Sequence, residues 1–149
     1  MHYWDTSTLV KLYVREPDSA LFAAHLAATG PTATSALACW EMFRVFARKE
    51  ADQIIAAGTA ETVFAKFEAD VLSGRIALLP MDRATEERFR KLALRLHRLT
   101  PPVFTRTLDA IHLATADLHQ ASELVATDDK LRKCAAAVGL KVFPEPEFF

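Results

Sequence analysis

The chain has 149 residues, 51% of them hydrophobic and 25% charged, and its formal net charge is -1 at pH 7. This length suits one domain with a buried core, and the composition excludes a disordered chain, so we expect residues 1–149 to form a single domain. The near-zero charge excludes a strongly basic nucleic-acid-binding domain, and no apolar run reaches the roughly 18 residues of a membrane span.

The two cysteines, Cys39 and Cys134, lack the CxxC spacing of a redox or zinc motif. We expect them to be small apolar residues in a reducing compartment. Asp5 interrupts the opening residues, so they do not form the continuous apolar region of a secretion signal. These features predict a cytoplasmic protein without a membrane segment.

The first third of the chain alternates strand-like and helix-like segments. Pro17 suits the first turn of a helix, Gly30 suits a helix end, and Ser35 is a plausible N-cap for the next helix. The predicted elements here are a strand at 1–4, helices at 7–14 and 17–29, a strand at 31–35 and a helix at 35–50.

The same alternation continues to the last strand. Thr59 or Thr62 begins a helix that Gly74 ends, and Gly139 ends the final helix. Together the strands and helices predict an α/β domain with a mainly parallel five-stranded sheet, followed by a tail at 144–149 that is loosely held or contacts a second copy. The predicted elements are a helix at 59–73, a strand at 75–81, helices at 85–99 and 107–121, a strand at 123–127, a helix at 128–138 and a strand at 140–143.

Three acidic residues occupy positions where chemistry is expected. Asp5 and Asp128 each follow a predicted strand, and ligands bind beyond the carboxyl ends of parallel strands. Each could instead be a helix N-cap. Glu41 lies on an apolar helix, where a carboxylate is costly unless it is paired, and the alternative to a functional role is a structural pair with Arg44 or Arg48.

A fourth acid, Asp109, lies in the first turn of its predicted helix. A carboxylate there interacts favourably with the helix dipole, and its apolar neighbours predict that it faces the body of the protein. His112 follows on the same helical face. It is either a metal ligand or, more commonly for such a residue, a buried histidine held by hydrogen bonds.

The four carboxylates come from four separate segments. Several ionised carboxylates in one crevice repel each other unless a cation lies among them, and helix N-termini favour the ionised form. An all-oxygen set of ligands suits Mg²⁺ or Mn²⁺ better than zinc. Periodicity alone does not establish that the four residues meet in space.

Four segments taken together resemble the motifs of the PIN-domain family. Within that family, the chain is most similar to the VapC ribonuclease toxins of type II toxin–antitoxin modules, and the resemblance covers essentially the whole chain. It implies a PIN-like fold, with helices on both faces of a parallel sheet, and metal-dependent endoribonuclease activity that hydrolyses RNA phosphodiester bonds. The segments are “YWDTSTLVKLYVREPDS”, “TSALACWE”, “LDAIHLATA” and “LVATDDKLRKCAAAVGLKV”.

The resemblance also implies roles for individual residues. Asp5, Asp109 and Asp128 are expected to hold Mg²⁺ or Mn²⁺, and Glu41 is expected to bind through water or to act as a base. The family's catalytic acids correspond here to Asp5, Glu41, Asp109 and Asp128.

Supporting roles fall to the neighbours of these acids. The family places a Ser or Thr just after the first Asp, for which Ser7 is the best match and Thr6 the next. Asp129 is the alternative fourth acid because Thr127 precedes it at the family's spacing, although the spacing to the end of the helix favours Asp128. His112 is expected to support the site.

The partners follow from the same resemblance: an RNA substrate, a cognate antitoxin and a second copy in a homodimer. Lys11 and Arg15 are the expected RNA-binding residues because they follow Asp5 on the first helix. The antitoxin is expected to cover an apolar pair of helices, so that Phe46→Asp or Phe64→Asp would break the complex; the alternative is that both residues belong to the core. The basic residues of the helix at 85–99 and its surroundings either bind phosphate or form a solvated face; they are Arg83, Arg88, Arg90, Lys91, Arg95 and Arg98.

Three alternatives remain open from sequence. The chain could be a PIN-domain RNA-processing nuclease that has no antitoxin. It could be a phosphoacceptor signalling domain, but Asp5 stands alone after the first strand and Lys141 begins the fifth strand instead of following it. It could also be a PIN-like scaffold that only binds partners, which the intact set of four acids argues against.

Overall fold

The computed structural model describes residues 1–146, so the expectation for the tail lies partly outside the described residues. Five strands form one sheet in the order β3-β2-β1-β4-β5, and every neighbouring pair is parallel. The prediction of a parallel five-stranded sheet with helices on both faces is confirmed. The strands are β1 (His2–Trp4), β2 (Thr32–Ser35), β3 (Ile76–Leu79), β4 (Glu123–Val125) and β5 (Lys141–Phe143).

Seven helices connect the strands in the described part of the chain. Within residues 1–146, none of them is both long enough and apolar enough to cross a membrane. They are α1 (Thr6–Val10), α2 (Ser19–Ala28), α3 (Ala38–Ala51), α4 (Ala60–Leu72), α5 (Arg83–His97), α6 (Thr107–Leu118) and α7 (Asp129–Ala137).

Each face of the sheet is covered by its own hydrophobic core. On one face, Trp4 and Val125 pack with α1 to α4, including Phe46 and Phe67. On the other face, side chains that include Tyr3 pack with α5, α6 and α7. Alternation along β1 explains the split, because successive side chains of a strand point to opposite faces.

The topology creates a crevice between β1 and β4. The chain adds β2 and β3 on one side of the central β1, and then returns to add β4 and β5 on the other side. Ligands of open α/β sheets bind at such a reversal, outside the carboxyl ends of the strands. Asp5 follows β1 directly and Asp128 lies shortly after β4, so both reach this crevice.

Several helix boundaries differ from the sequence prediction. Helix α1 begins at Thr6 and ends at Val10, where 7–14 was predicted. Ser35 is not the N-cap of α3: it is the last residue of β2, and its hydroxyl instead accepts from the backbone N–H of Leu37. Helix α3 starts only at Ala38, because Ala36 and Leu37 form the turn that follows the strand.

Three further residues mark helix ends. Asp82 caps α5 by accepting from the Thr85 N–H, so this helix starts at Arg83 and not at residue 85. Gly74 and Gly139 follow the ends of α4 and α7 with φ near +81° and +83°, a backbone conformation that glycine adopts without strain.

Candidate active site

One cavity of about 470 Å³ contains all four predicted acids. It lies beyond the carboxyl ends of β1 and β4. The residues that line it include Asp5, Glu41, Asp109, Asp128, Thr6, Ser7, His112, Arg44 and Arg106. The fold therefore brings the predicted carboxylates into one cavity from four different segments.

Asp5 is fixed by the first turn of α1. Its Oδ1 accepts from the Thr8 N–H at 3.0 Å and from the Thr8 hydroxyl at 2.8 Å, and the Ser7 hydroxyl lies 3.0 Å from both carboxylate oxygens. Burial raises the pKa of Asp5, although the hydrogen bonds from Thr8 and Ser7 and the charge of His112 oppose that shift. The N-cap reading of Asp5 is thus correct, and it leaves a buried carboxylate that a nearby positive charge would stabilise.

Glu41 is held by a chain of buried polar groups. Its Oε1 lies 2.5 Å from Nε2 of His112 and accepts from the Thr6 hydroxyl at 2.8 Å. On the other side of the ring, Nδ1 of His112 lies 2.6 Å from the Tyr3 hydroxyl. Because an ionised carboxylate only accepts hydrogen bonds, Nε2–H of His112 donates to Glu41.

The environment favours ionised Glu41 and protonated Tyr3. Burial raises the pKa of Glu41, but the hydrogen bond and charge of His112, together with Thr6, lower it by more, so the net shift is downward. Burial raises the pKa of Tyr3, so its hydroxyl stays protonated. The predicted structural pairs of Glu41 with Arg44 or Arg48 are not what holds it: Arg44 lines the cavity, and Arg48 bonds to Asp52.

Asp109 projects from the first turn of α6 with only 16% of its side chain exposed. Its Oδ2 accepts from Nε of Arg106 at 3.0 Å. This hydrogen bond and the charge of Asp109 raise the pKa of Arg106, and two more carboxylates of the cavity add to the effect. Arg106, which the sequence analysis missed, is therefore a fixed positive charge at the acidic cavity.

The structure separates the two candidates for the fourth acid. Asp128 lines the cavity, and its Oδ1 caps α7 by accepting from the Leu131 N–H at 2.9 Å. Asp129 is the first residue of α7 and is exposed to solvent. Asp128 is thus the residue that the fold places beside the other three acids.

The predicted RNA-binding residues do not line the acidic cavity. Lys11 and Arg15 line a separate cavity together with residues of α2, and Nζ of Lys11 bonds to Asp18 at 2.8 Å. In the basic helix α5, three arginines form ion pairs: Arg83 with Glu87, Arg88 with Asp117, and Arg90 with Glu86. The positive side chains at the acidic cavity are instead Arg44 and Arg106, whose spacing from the acids gave no distinctive sequence pattern.

The donor chemistry of the cavity fits a hard divalent cation. Four carboxylates supply oxygen ligands, the kind that Mg²⁺ and Mn²⁺ prefer. Both ring nitrogens of His112 are occupied by hydrogen bonds to Glu41 and Tyr3, so this histidine does not offer a free nitrogen to a metal. The set is therefore unlike the nitrogen- and sulfur-rich sites of zinc.

A parallel sheet covered on both faces, with four carboxylates converging at its topological reversal, defines a PIN-type domain. The PIN domain family model matches residues 3–137, and the chain belongs to this family.

Relatives agree with that assignment. The chain is 34% identical over 142 residues to Ribonuclease VapC46 of Mycobacterium tuberculosis (strain ATCC 25618 / H37Rv), an alignment that covers 94% of each chain. Its fold resembles that of FitAcB from Neisseria gonorrhoeae, with a TM-score of 0.72, 18% identity and 96% of each chain covered. It also resembles a toxin–antitoxin complex from Klebsiella pneumoniae, with a TM-score of 0.65 and 20% identity over 99% of this chain and 100% of that one.

Proposed function

We propose that this PIN domain is a metal-dependent endoribonuclease that acts as the toxin of a type II toxin–antitoxin module. The observation that carries the proposal is the cavity in which Asp5, Glu41, Asp109 and Asp128 converge. Its support in sequence is the 34% identity to a ribonuclease of the VapC group. The expected place of action is the cytoplasm, where RNA is available.

In this proposal, Asp5, Asp109 and Asp128 hold Mg²⁺ or Mn²⁺. Such an ion supplies activation of a water molecule and neutralisation of the charge that builds on the phosphate. Ser7 and Thr8 fix the orientation of the Asp5 carboxylate through their hydrogen bonds. A carboxylate that is already oriented needs less rearrangement when it binds a metal ion.

Glu41 has the geometry of a group that positions and deprotonates water. Thr6 and His112 lock its Oε1, while the same side chain keeps 22% of its surface exposed at the cavity. Arg106 is placed to contact a substrate phosphate, since its side chain is 78% exposed and already lies at the acids through Asp109.

The metal requirement can be tested on purified protein. We expect wild type to cleave RNA with Mg²⁺ or Mn²⁺ and to stop in EDTA, and Asp5→Asn to lose at least about 100-fold in rate, because loss of a direct ligand should exceed the cost of losing its supporting contacts. Asp82→Asn is a matched control: Asp82 caps α5 through Thr85 as Asp5 caps α1 through Thr8, but it lies outside the cavity. Cleavage that survives EDTA, or an Asp5→Asn enzyme as fast as Asp82→Asn, would contradict the proposal.

The proposed partners are an antitoxin and a second copy of the chain. Phe46, predicted to face the antitoxin, is fully buried and belongs to the core. The exposed aromatic residues of the same helix pair include Trp40, which is 69% exposed, and Phe43, which is 42% exposed and packs edge-on against the partly buried Phe64. We take this patch of Trp40, Phe43 and Phe64 as the antitoxin-binding surface, since exposed aromatic clusters are typical of interfaces.

Co-expression with the product of the neighbouring gene tests this surface. Phe43→Asp is expected to abolish co-purification and to leave RNA cleavage by the isolated protein intact. The matched control is Leu94→Asp, because Leu94 is similarly exposed, at 50%, on α5 across the sheet. Equal co-purification of both variants would overturn the assignment of the surface. The second proposed partner, another copy of the chain, is tested separately by light scattering of the isolated protein.

A further inference from the structure

Two histidines and a glutamate converge at the amino ends of β1 and β4, at the end of the sheet opposite the acidic cavity. His2 begins β1 and Glu123 begins β4, and the two are directly paired in the parallel register. Paired residues of neighbouring strands point to the same face, so both side chains meet helix α2, which contributes His25. Asp5 and Asp128 lie at the other ends of these two strands.

The three side chains meet at one carboxylate oxygen. Nδ1 of His2 lies 2.7 Å from Oε1 of Glu123, and Nε2 of His25 bonds to the same oxygen. One ligand atom from each residue lies within 4.8 Å of the other two. The arrangement therefore already brings two imidazole nitrogens and a carboxylate close together.

Packing holds the three side chains to different degrees. The His25 ring stacks on Phe143 with 3.5 Å between ring centroids and 9° between planes, and it also contacts Trp4. The Glu123 side chain is 5% exposed and that of His25 is 13% exposed, whereas that of His2 is 22% exposed. Two ligands are thus held from within the fold, and the third leaves a path for an ion and for water.

We propose that His2, His25 and Glu123 form a binding site for a divalent transition-metal ion of the zinc type. Imidazole nitrogen with one carboxylate is a donor set that Zn²⁺, Co²⁺ and Ni²⁺ accept and that Mg²⁺ does not favour. A tetrahedral ion with bonds of about 2.0–2.1 Å separates its ligands by roughly 3.3 Å, so the 2.7 Å spacing of His2 and Glu123 needs to widen by only about 0.6 Å. Water completes the coordination on the exposed side of His2.

The ion would tie β1, β4 and α2 together. This site shares no ligand with the acidic cavity and is independent of the proposed ribonuclease function. Its expected consequence is a gain in stability on binding, because only the folded chain brings the three ligands together.

Cobalt titration of tag-free, metal-stripped protein tests the site. Using the Asp109→Asn background to weaken ion binding at the acidic cavity, we expect one Co²⁺ to bind per chain with the visible absorption of a tetrahedral ion, and Zn²⁺ to displace it. His2→Gln and His25→Gln should each weaken binding by more than about 100-fold, while an amide can still donate a hydrogen bond to Glu123. His97→Gln, which changes an exposed histidine of α5, should bind like its parent.

Two results of the titration would overturn the proposal. The first is a parent protein that binds no Co²⁺, in which case the three residues form only a hydrogen-bonded cluster. The second is undiminished binding by both glutamine variants when each is folded by circular dichroism. X-ray absorption of the zinc-loaded parent gives an answer that needs no variant: we expect two imidazoles in the coordination shell, and a shell without imidazole contradicts the site.

Discussion

At the scale of the residue, two acids of the cavity have a structural role beside the chemical role proposed for them. Asp5 and Asp128 both cap helices, and each still presents its carboxylate to the cavity. The two interpretations that the sequence left open are therefore compatible, because a capping carboxylate uses one oxygen for the backbone and keeps another available.

The adjacent pair Asp128 and Asp129 offers a test at this scale. Asp128→Asn should slow RNA cleavage by about 10-fold or more, since it removes a charge from the cavity while asparagine still caps the helix. Asp129→Asn makes the same change one residue away, on the exposed side, and should cleave like wild type. Single-turnover rates on a labelled RNA decide between them, and a slower Asp129→Asn would reverse the assignment.

The chain of hydrogen bonds from Tyr3 through His112 to Glu41 makes a second prediction. Tyr3→Phe should cost about 1–3 kcal/mol of stability, because it leaves Nδ1 of a buried His112 without its partner. It should also slow cleavage, since the His112 ring orients Glu41.

Urea denaturation and cleavage rates measured together check this. Tyr13→Phe is the control: its hydroxyl donates to Asp70, far from the acids, so this variant should keep the wild-type cleavage rate. If the two variants cleave equally fast, the chain of hydrogen bonds has no part in positioning Glu41.

At the scale of the element, helix α3 has one buried face and one exposed face. Phe46 and Met42 are fully buried against the sheet, whereas Trp40 and Phe43 are exposed. Glu41 lies between these faces and reaches the cavity. The helix thus joins the core, the cavity and the proposed antitoxin surface within a few turns.

This division predicts different costs for two phenylalanines of one helix. Phe46→Ala should lower the free energy of unfolding by about 3–5 kcal/mol, as expected for a fully buried aromatic side chain. Phe43→Ala should change it by less than about 1 kcal/mol, because Phe43 is partly in solvent. Denaturation midpoints measure both, and similar losses would show that the exposed face of α3 is structural.

Element boundaries show where sequence reasoning stops. Alternation of strands and helices predicted every strand and helix in the right order, because hydrophobic periodicity is a local signal. Ser35 was misplaced as a cap because Ser is equally able to end a strand and turn the chain. Helix α5 was started too late because the capping pattern of Asp82 with Thr85 lies before its apolar stripe.

At the scale of the whole molecule, the two ends of the sheet's strands carry chemically different groups. The carboxyl ends of the strands gather four carboxylates with Arg44 and Arg106, and the amino ends of β1 and β4 gather His2 and Glu123 with His25 of α2. The sequence pointed to the four acids because their motifs have family-specific spacing. It gave no sign of Arg106 or of the histidine pair, which depend on the packing of α6 and α2 against the sheet.

The central claim is that the acidic cavity, and not acidic charge in general, catalyses RNA cleavage. The most direct measurement is the single-turnover cleavage rate with Mg²⁺ for Asp109→Asn beside Asp52→Asn. Both aspartates accept from an arginine Nε, Asp109 from Arg106 and Asp52 from Arg48, but only Asp109 lines the cavity. The account predicts a loss of at least about 100-fold for Asp109→Asn and none for Asp52→Asn; a folded Asp109→Asn protein that cleaves at the wild-type rate would contradict it.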